Sequence, residues 1–349
     1  MVVEAAGGDS PGHDRDQIQE IKQMRPNTSS TFARKSLLAI QVAALGCVLP
    51  ALAQAAPQST QTADAPPPAQ MSFATPKQAA EALIQAADGF DVPALTKILG
   101  PHSEDLISSE DPISDKNYAT AFAAKSRQKN AVVVDPKNSK RAILSVGDDE
   151  FPFAIPIVEK KGKWYFDTKT GRQEILFRRI GENELTAITI CRGFVEAQDE
   201  YAEQIHDNSG VHQYAQRIMS TPGKQDGLAW QNPDGSWGGP MGETVARALE
   251  EGYREPGKPF HGYYFKVLKG QGPDATLGQL DYMIEGAMIG GFALVAVPAD
   301  YRVTGVTTFI VSYDGVVYQK DLGPDSLKIF KAMERYNPDK TWRETDDNP

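Results

Sequence analysis

Residues 131–167, AVVVDPKNSKRAILSVGDDEFPFAIPIVEKKGKWYFD, decide the fold class. Ala131–Asp135, Lys140–Val146, Phe151–Val158 and Lys163–Asp167 are extended runs rich in β-branched and aromatic residues. The segments between them, Asp135-Pro136-Lys137-Asn138 and Lys160-Lys161-Gly162, carry turn chemistry. Strands joined by connections too short for a crossover pair antiparallel. Upstream the period is helical. Thr75-Pro76-Lys77-Gln78 reads as an N-cap, a first-turn proline and a capping-box glutamine, and Ala79, Ala80, Leu83, Ile84 and Ala87 follow on one face. Asp91 predicts a second N-cap for a helix whose Leu95, Ile98 and Leu99 turn inward and which stops at Gly100-Pro101. Tyr118 and Phe122 mark a third helix, running to about Asn130. Helices followed by an antiparallel sheet make an α+β domain over residues 73–181.

Downstream, Arg172–Ile180 reads as a short helix closed by Gly181. Asn183 opens the longest helix, with Ile188, Cys191, Phe194, Val195, Tyr201, Ala202 and Ile205 on one stripe. His206–Gly242 is polar and rich in Gly and Pro, with one helical turn predicted near Tyr214–Met219. A helix at Glu243–Glu251 precedes strands at Gly262–Leu268, Leu280–Glu285, Gly291–Val297, Val306–Tyr313 and Val316–Asp321. Asp314-Gly315 between the last two predicts a two-residue hairpin turn with positive φ at both positions. The second domain, residues 182–345, is therefore also α+β, a long helix feeding an antiparallel meander. The first domain resembles the cystatin-like, NTF2-like fold, which implies a pocket. The second resembles the globular head of type IV pilins, without the hydrophobic N-terminal assembly helix of a pilin.

The chain has 349 residues, 40% hydrophobic and 23% charged, with a net charge of -10 at pH 7, a pI near 5.1 and a mean hydropathy of -0.41. That composition excludes a membrane bundle, collagen, a coiled coil and wholesale disorder. The acidity argues against nucleic acid as a partner. Residues 1–55 read as an export segment. From Met24 onward, Arg25, Arg34 and Lys35 precede the apolar run Leu37–Leu49, Pro50 breaks it, and Ala51-Leu52-Ala53 gives the small-x-small pattern of a signal peptidase site. The polar, mixed-charge stretch before Met24 places the translation start at Met24. About 13 apolar residues make a helix of about 20 Å, short of the roughly 30 Å hydrocarbon core, so no span is predicted in the mature chain. Cleavage after Ala53 or Ala55 gives a periplasmic or secreted protein. The alternative is a lipoprotein anchored at Cys47 within Ala44-Leu45-Gly46-Cys47. Residues 56–72, mostly Ala, Pro, Gln, Thr and Ser, read as a disordered linker. The mature protein keeps a single thiol, Cys191, on an apolar helical stripe, where a small buried hydrophobe is expected.

No strong catalytic signature stands in this sequence. His102, His206, His212 and His261 lack zinc spacings, and His206 and His212 read as exposed loop residues around Asp207–Gly210. Asp207-Asn208-Ser209-Gly210 is too short and too weakly charged for a calcium loop. G-x-S-x-G is absent from the mature chain, and Ser220 to Lys224 is one residue too long for S-x-x-K. Gly286, Gly290 and Gly291 lack the Lys-Ser/Thr ending of a phosphate loop. No catalytic residue, metal or cofactor is assigned. A pair of carboxylates acting on envelope polymers is the alternative that the abundance of acids leaves open. The least ordinary region is Asp226–Pro240, where Trp230 and Trp237 flank Asn232-Pro233-Asp234-Gly235. With His261, Tyr263 and Tyr264 they form the candidate binding set, for an envelope protein or a glycan.

Several segments carry a family resemblance. They include Trp164-Tyr165-Phe166-Asp167-Thr168, Arg178-Arg179-Ile180-Gly181, Tyr214-Ala215-Gln216-Arg217, His261-Gly262-Tyr263-Tyr264-Phe265, Met288-Ile289-Gly290-Gly291-Phe292-Ala293 and the run from Asp314 to Gly323. From Phe73 to about Trp342 the chain resembles the bacterial family catalogued as domain of unknown function 2950. The resemblance implies an exported or envelope-associated protein and no particular activity. The expectation is therefore an exported, non-catalytic binding or assembly module.

Overall fold

The computed structural model describes residues 70–346, apart from Glu110 and residues 254–257. The export segment, its cleavage positions, Cys47 and residues 56–69 of the linker lie outside the described residues. The architecture is mixed α+β.

Helix α1 (Pro76–Asp88) starts where Thr75 Oγ1 accepts the Gln78 N–H at 3.2 Å and buries Ala79, Ala80, Leu83, Ala86 and Ala87. Helix α2 (Val92–Leu99) is capped by Asp91, which accepts the Ala94 N–H at 3.0 Å. A single turn, α3 (Glu104–Ile107), precedes α4 (Pro112–Gln128), whose cap Asp111 accepts from Ile113 and Ser114 at 3.1 and 3.0 Å. The strands β1 (Asn130–Asp135), β2 (Asn138–Val146), β3 (Phe151–Pro152), β4 (Ile157–Lys160) and β5 (Lys163–Phe166) form one antiparallel sheet in the order β1-β2-β4-β5, with β3 beside β2. The run read as Phe151–Val158 is split, because Phe153, Ala154 and Ile155 turn into the core. Phe153 sits between Phe122 and Phe166, its centroid 5.4 and 6.3 Å from theirs. Gln70, in the stretch read as linker, donates to Ile98, Leu99 and Phe166 carbonyls at 3.2, 3.1 and 2.7 Å. It ties α2 to β5.

One continuous helix, α5 (Thr168–Ala202, 35 residues), replaces the two helices expected on either side of Gly181. Glycine in a helix interior costs about 1 kcal/mol, and burial at both ends of α5 outweighs it. Gly171, Ile175 and Ile180 are buried near its start, Ala187 to Tyr201 near its end. At Gly171 a Cβ would lie 2.9 Å from Ile155 Cα, so only glycine allows this approach of helix to sheet. The boundary drawn between 181 and 182 thus falls inside a helix. The buried side chains nonetheless form two clusters, one from Ala79 to Ile175 and one from Ala187 to Tyr336.

After α5 come β6 (Arg217–Met219), β7 (Gly227–Gln231) and β8 (Trp237–Gly238), a three-stranded sheet in which β6 and β7 are parallel. The helical turn expected near Tyr214–Met219 is this strand, drawn out by its pairing with β7. Helix α6 (Glu243–Tyr253) packs on β6, β7 and β9 (Tyr263–Leu268). Two short ladders, β10 (Gly270–Gln271) with β11 (Leu280–Asp281) and β12 (Met283–Ile284) with β13 (Ala287–Met288), replace the single strand expected at Leu280–Glu285. Then follow β14 (Ala293–Pro298), β15 (Thr308–Ser312), β16 (Tyr318–Lys320), helix α7 (Ser326–Ala332) and β17 (Arg343–Glu344). The main sheet is antiparallel throughout, in the order β17-β16-β15-β14-β9. Both α5 and α7 pack on β14, and every β14 residue is buried. The Asp314-Gly315 turn differs from expectation, since only Gly315 has positive φ, at 74°. Asp314 Oδ1 accepts the Val316 N–H at 3.1 Å, an Asx turn that makes a longer loop and delays the strand to Tyr318.

Candidate binding surface around Trp230 and Trp237

The candidate tryptophans stand on adjacent rungs of a short hairpin. Gln231 pairs with Trp237 and Trp230 with Gly238, and the Trp230 indole lies where a side chain on Gly238 would go, 2.8 Å from the position of its Cβ. Within the tip, Asn232 N–H donates to Ser236 O at 2.8 Å, and Asp234 Oδ1 accepts both N–H and Oγ of Ser236, at 3.0 and 2.6 Å. These bonds hold the Asp234 carboxyl below the usual carboxylate range. The polar tip is thus shaped by its own side chains.

Trp230 and Trp237 have different surroundings. Trp230 is half-buried, 6.3 Å centroid to centroid from Tyr201 and 5.3 Å from His206. Tyr201 and His206 are themselves stacked at 3.9 Å. His206 is buried, at 5% exposure, where an exposed loop histidine was expected. Its Nε2 lies 2.9 Å from Tyr201 O and its Nδ1 3.2 Å from Gln225 Oε1. A backbone carbonyl only accepts, so Nε2 carries a proton. The Tyr201 hydroxyl donates to Gln225 O, and burial raises its pKa. Trp237 is also half-buried, with the Arg247 guanidinium of α6 centred 5.4 Å from its ring. Arg247 in turn bonds Glu243 at 2.8 Å.

The rest of the candidate set is placed by β9 and the turn before it. His261, at φ 44°, packs edge-on against Phe260 with centroids 4.5 Å apart, and its Nε2 is buried without a hydrogen-bond partner among the described residues. Tyr263 is fully buried, donates to Thr307 O at 2.8 Å and is raised by burial above the ordinary tyrosine range. Tyr264 is half-buried and pairs with Val297 across the sheet. The ring partners of the tryptophans are Tyr201, His206 and Arg247, and that of Tyr263 is Phe309. Helix α6, packed on both β7 and β9, links the two groups. Tyr201, His206 and Arg247 stand outside the candidate set that the sequence suggests. The one signal was Tyr201 on the apolar stripe five residues before a histidine.

Other chemistry is confined by burial. Cys191 is fully buried, which pushes its thiol up to about 12. Asp199 is raised by burial alone, with no second carboxylate contributing. Among the described residues no group of three or more His, Cys, Asp or Glu is placed to hold a metal ion, and no helix is long and apolar enough to cross a membrane. In the first half, a cavity of about 30 Å³ lies among Leu83, Leu95, Leu99, Phe122 and Phe153, with Asp115 and Tyr118 as its polar members. That is room for about two waters. Asp115 Oδ2 is engaged by the Ser109 N–H at 2.6 Å.

No curated protein and no solved structure matches the chain. The family described as Protein of unknown function (DUF2950) matches residues 70–345, most of the chain, and the protein belongs to that family.

Proposed function

We propose that this is an exported envelope protein, a non-catalytic binding module that engages wall glycan through Trp237, Arg247 and the polar hairpin tip. The observation that carries the reading is the position of Trp237, half-buried on a hairpin stiffened by its own side chains and next to a guanidinium. An aromatic ring held beside a few fixed polar groups offers both the stacking face and the directional bonds that a sugar polymer needs. Trp230 plays a different part, anchoring the hairpin to Tyr201 and His206. Periplasmic or secreted localisation rests on the export pattern at residues 24–55.

The test is cosedimentation of the purified protein with isolated cell-wall sacculi, with release of reducing ends followed in the same samples. The reading expects saturable binding that Trp237→Ala weakens about tenfold, and no release of reducing ends. Equal pelleting of parent and variant contradicts the surface, and steady release of reducing ends contradicts the non-catalytic role. N-terminal analysis of protein recovered outside the cytoplasm should give Gln54 or Ala56 as first residue.

A further inference from the structure

Strand β1 ends its sheet, and its strand neighbour among the described residues is β2 alone. The Gly147 N–H donates to Lys129 O at 2.9 Å, which fixes the parity of the ladder. The Lys129 carbonyl and the backbone groups of residues 131 and 133 turn toward β2, and Asn130, Val132 and Val134 turn theirs out of the sheet. Natural proteins blunt such edges with lysine, proline or a very short strand. Asn130–Val134 has none of these, and Val133 and Val134 are 54% and 45% exposed. Charge is confined to the ends, at Lys129 and Asp135.

We propose that this edge pairs with the same edge of a second copy, antiparallel, about a two-fold axis at Val132. Parity and charge select the register together. Val132 opposite Val132 matches outward-facing groups with outward-facing groups, so the central pair and the flanking Asn130–Val134 pairs each exchange backbone bonds. The same register sets Val133 against Ala131 and brings Lys129 of each copy to the end where Asp135 of the other stands, just past the irregularity that the β1–β2 ladder shows between Val134 and Asp135. A slip of two residues keeps the bonds and loses both charge pairs, and a slip of one loses the bonds. Lys129 and Asp135 both have partners within the chain that an incoming charge would share: Lys129 bonds Glu150 at 3.1 Å, and Asp135, 23% exposed, bonds Arg141 at 3.2 Å and accepts the Lys137 N–H at 2.9 Å. Pro136, which has no N–H, marks the end of the ladder. The result is a sheet continuous through two copies, and an interface of one strand pair is small enough to be reversible.

Sedimentation equilibrium of the purified protein over a wide concentration range tests this, with circular dichroism to confirm that each variant is folded. The expected mass rises with concentration toward twice the monomer value. Lys129→Glu and Asp135→Lys each set like charges against each other at both ends and should abolish the rise. An equimolar mixture of the two variants restores opposite charges at both ends and should regain it. Val133→Lys, on an exposed position of the strand, should abolish the rise whatever the charge variants do to folding. A monomer at every concentration, a rise that survives the substitutions, or a mixture that stays monomeric overturns the proposal.

Discussion

His206 stacks on Tyr201 with ring centroids 3.9 Å apart and planes 20° apart, and its Nε2 lies 2.9 Å from the carbonyl oxygen of that same tyrosine. The pair closes the end of α5 and forms the floor on which Trp230 rests. Replacing His206 with Ala removes a buried ring and leaves the Tyr201 carbonyl without its donor. We expect a loss of about 2–3 kcal/mol, read as a lower urea midpoint at unchanged slope. A variant as stable as the parent would show that the stack contributes little.

Gly171 and Gly181 lie on the same helix and should respond oppositely to alanine. At Gly181 an added Cβ meets nothing within 4 Å and the backbone φ is not positive, so Gly181→Ala should stabilise by about 0.5–1 kcal/mol. At Gly171 the added carbon would lie 2.9 Å from Ile155 Cα, and Gly171→Ala should destabilise by about 2 kcal/mol. Thermal unfolding measures both. Destabilisation by Gly181→Ala would mean that α5 is broken there.

Cys191 should be silent in the folded protein. Burial pushes its thiol from 9.0 up to about 12, so the folded state holds its proton at pH values where the unfolded chain releases it. The sign follows from linkage. This group leaves stability at its full value below about 9, and stability falls as pH rises toward 12. A thiol reagent at pH 8 should label Cys191 only after denaturant is added, and Cys191→Ser should lessen the alkaline loss of stability. Fast labelling of native protein would contradict the burial.

Local chemistry was legible and long-range packing was not. Thr75, Asp91 and the turn at Lys160–Gly162 announce themselves within four residues, and the structure places caps and a hairpin there. The burial of His206 depends on Tyr201, Gln225 and Trp230, brought together by the fold of a polar stretch with no periodicity of its own. Strand β6 is extended because β7 lies beside it, not because of its three residues. Gly181 reads as a stop because glycine is a common helix terminator, and the packing at both ends of α5 decides otherwise. At the candidate surface the sequence marked Trp230 and Trp237 alike. Only the structure separates the two rings by their partners, Tyr201 and His206 beside one and Arg247 over the other, both being partly buried against the same core.

That separation is the centre of the account, and one paired measurement tests it. Trp230→Ala and Trp237→Ala are each followed by urea unfolding and by binding to cell-wall sacculi. Trp230→Ala should lower stability by about 2 kcal/mol, while Trp237→Ala should lower it less, leave the protein folded and weaken binding about tenfold. Undiminished binding by a fully folded Trp237→Ala protein would contradict the account.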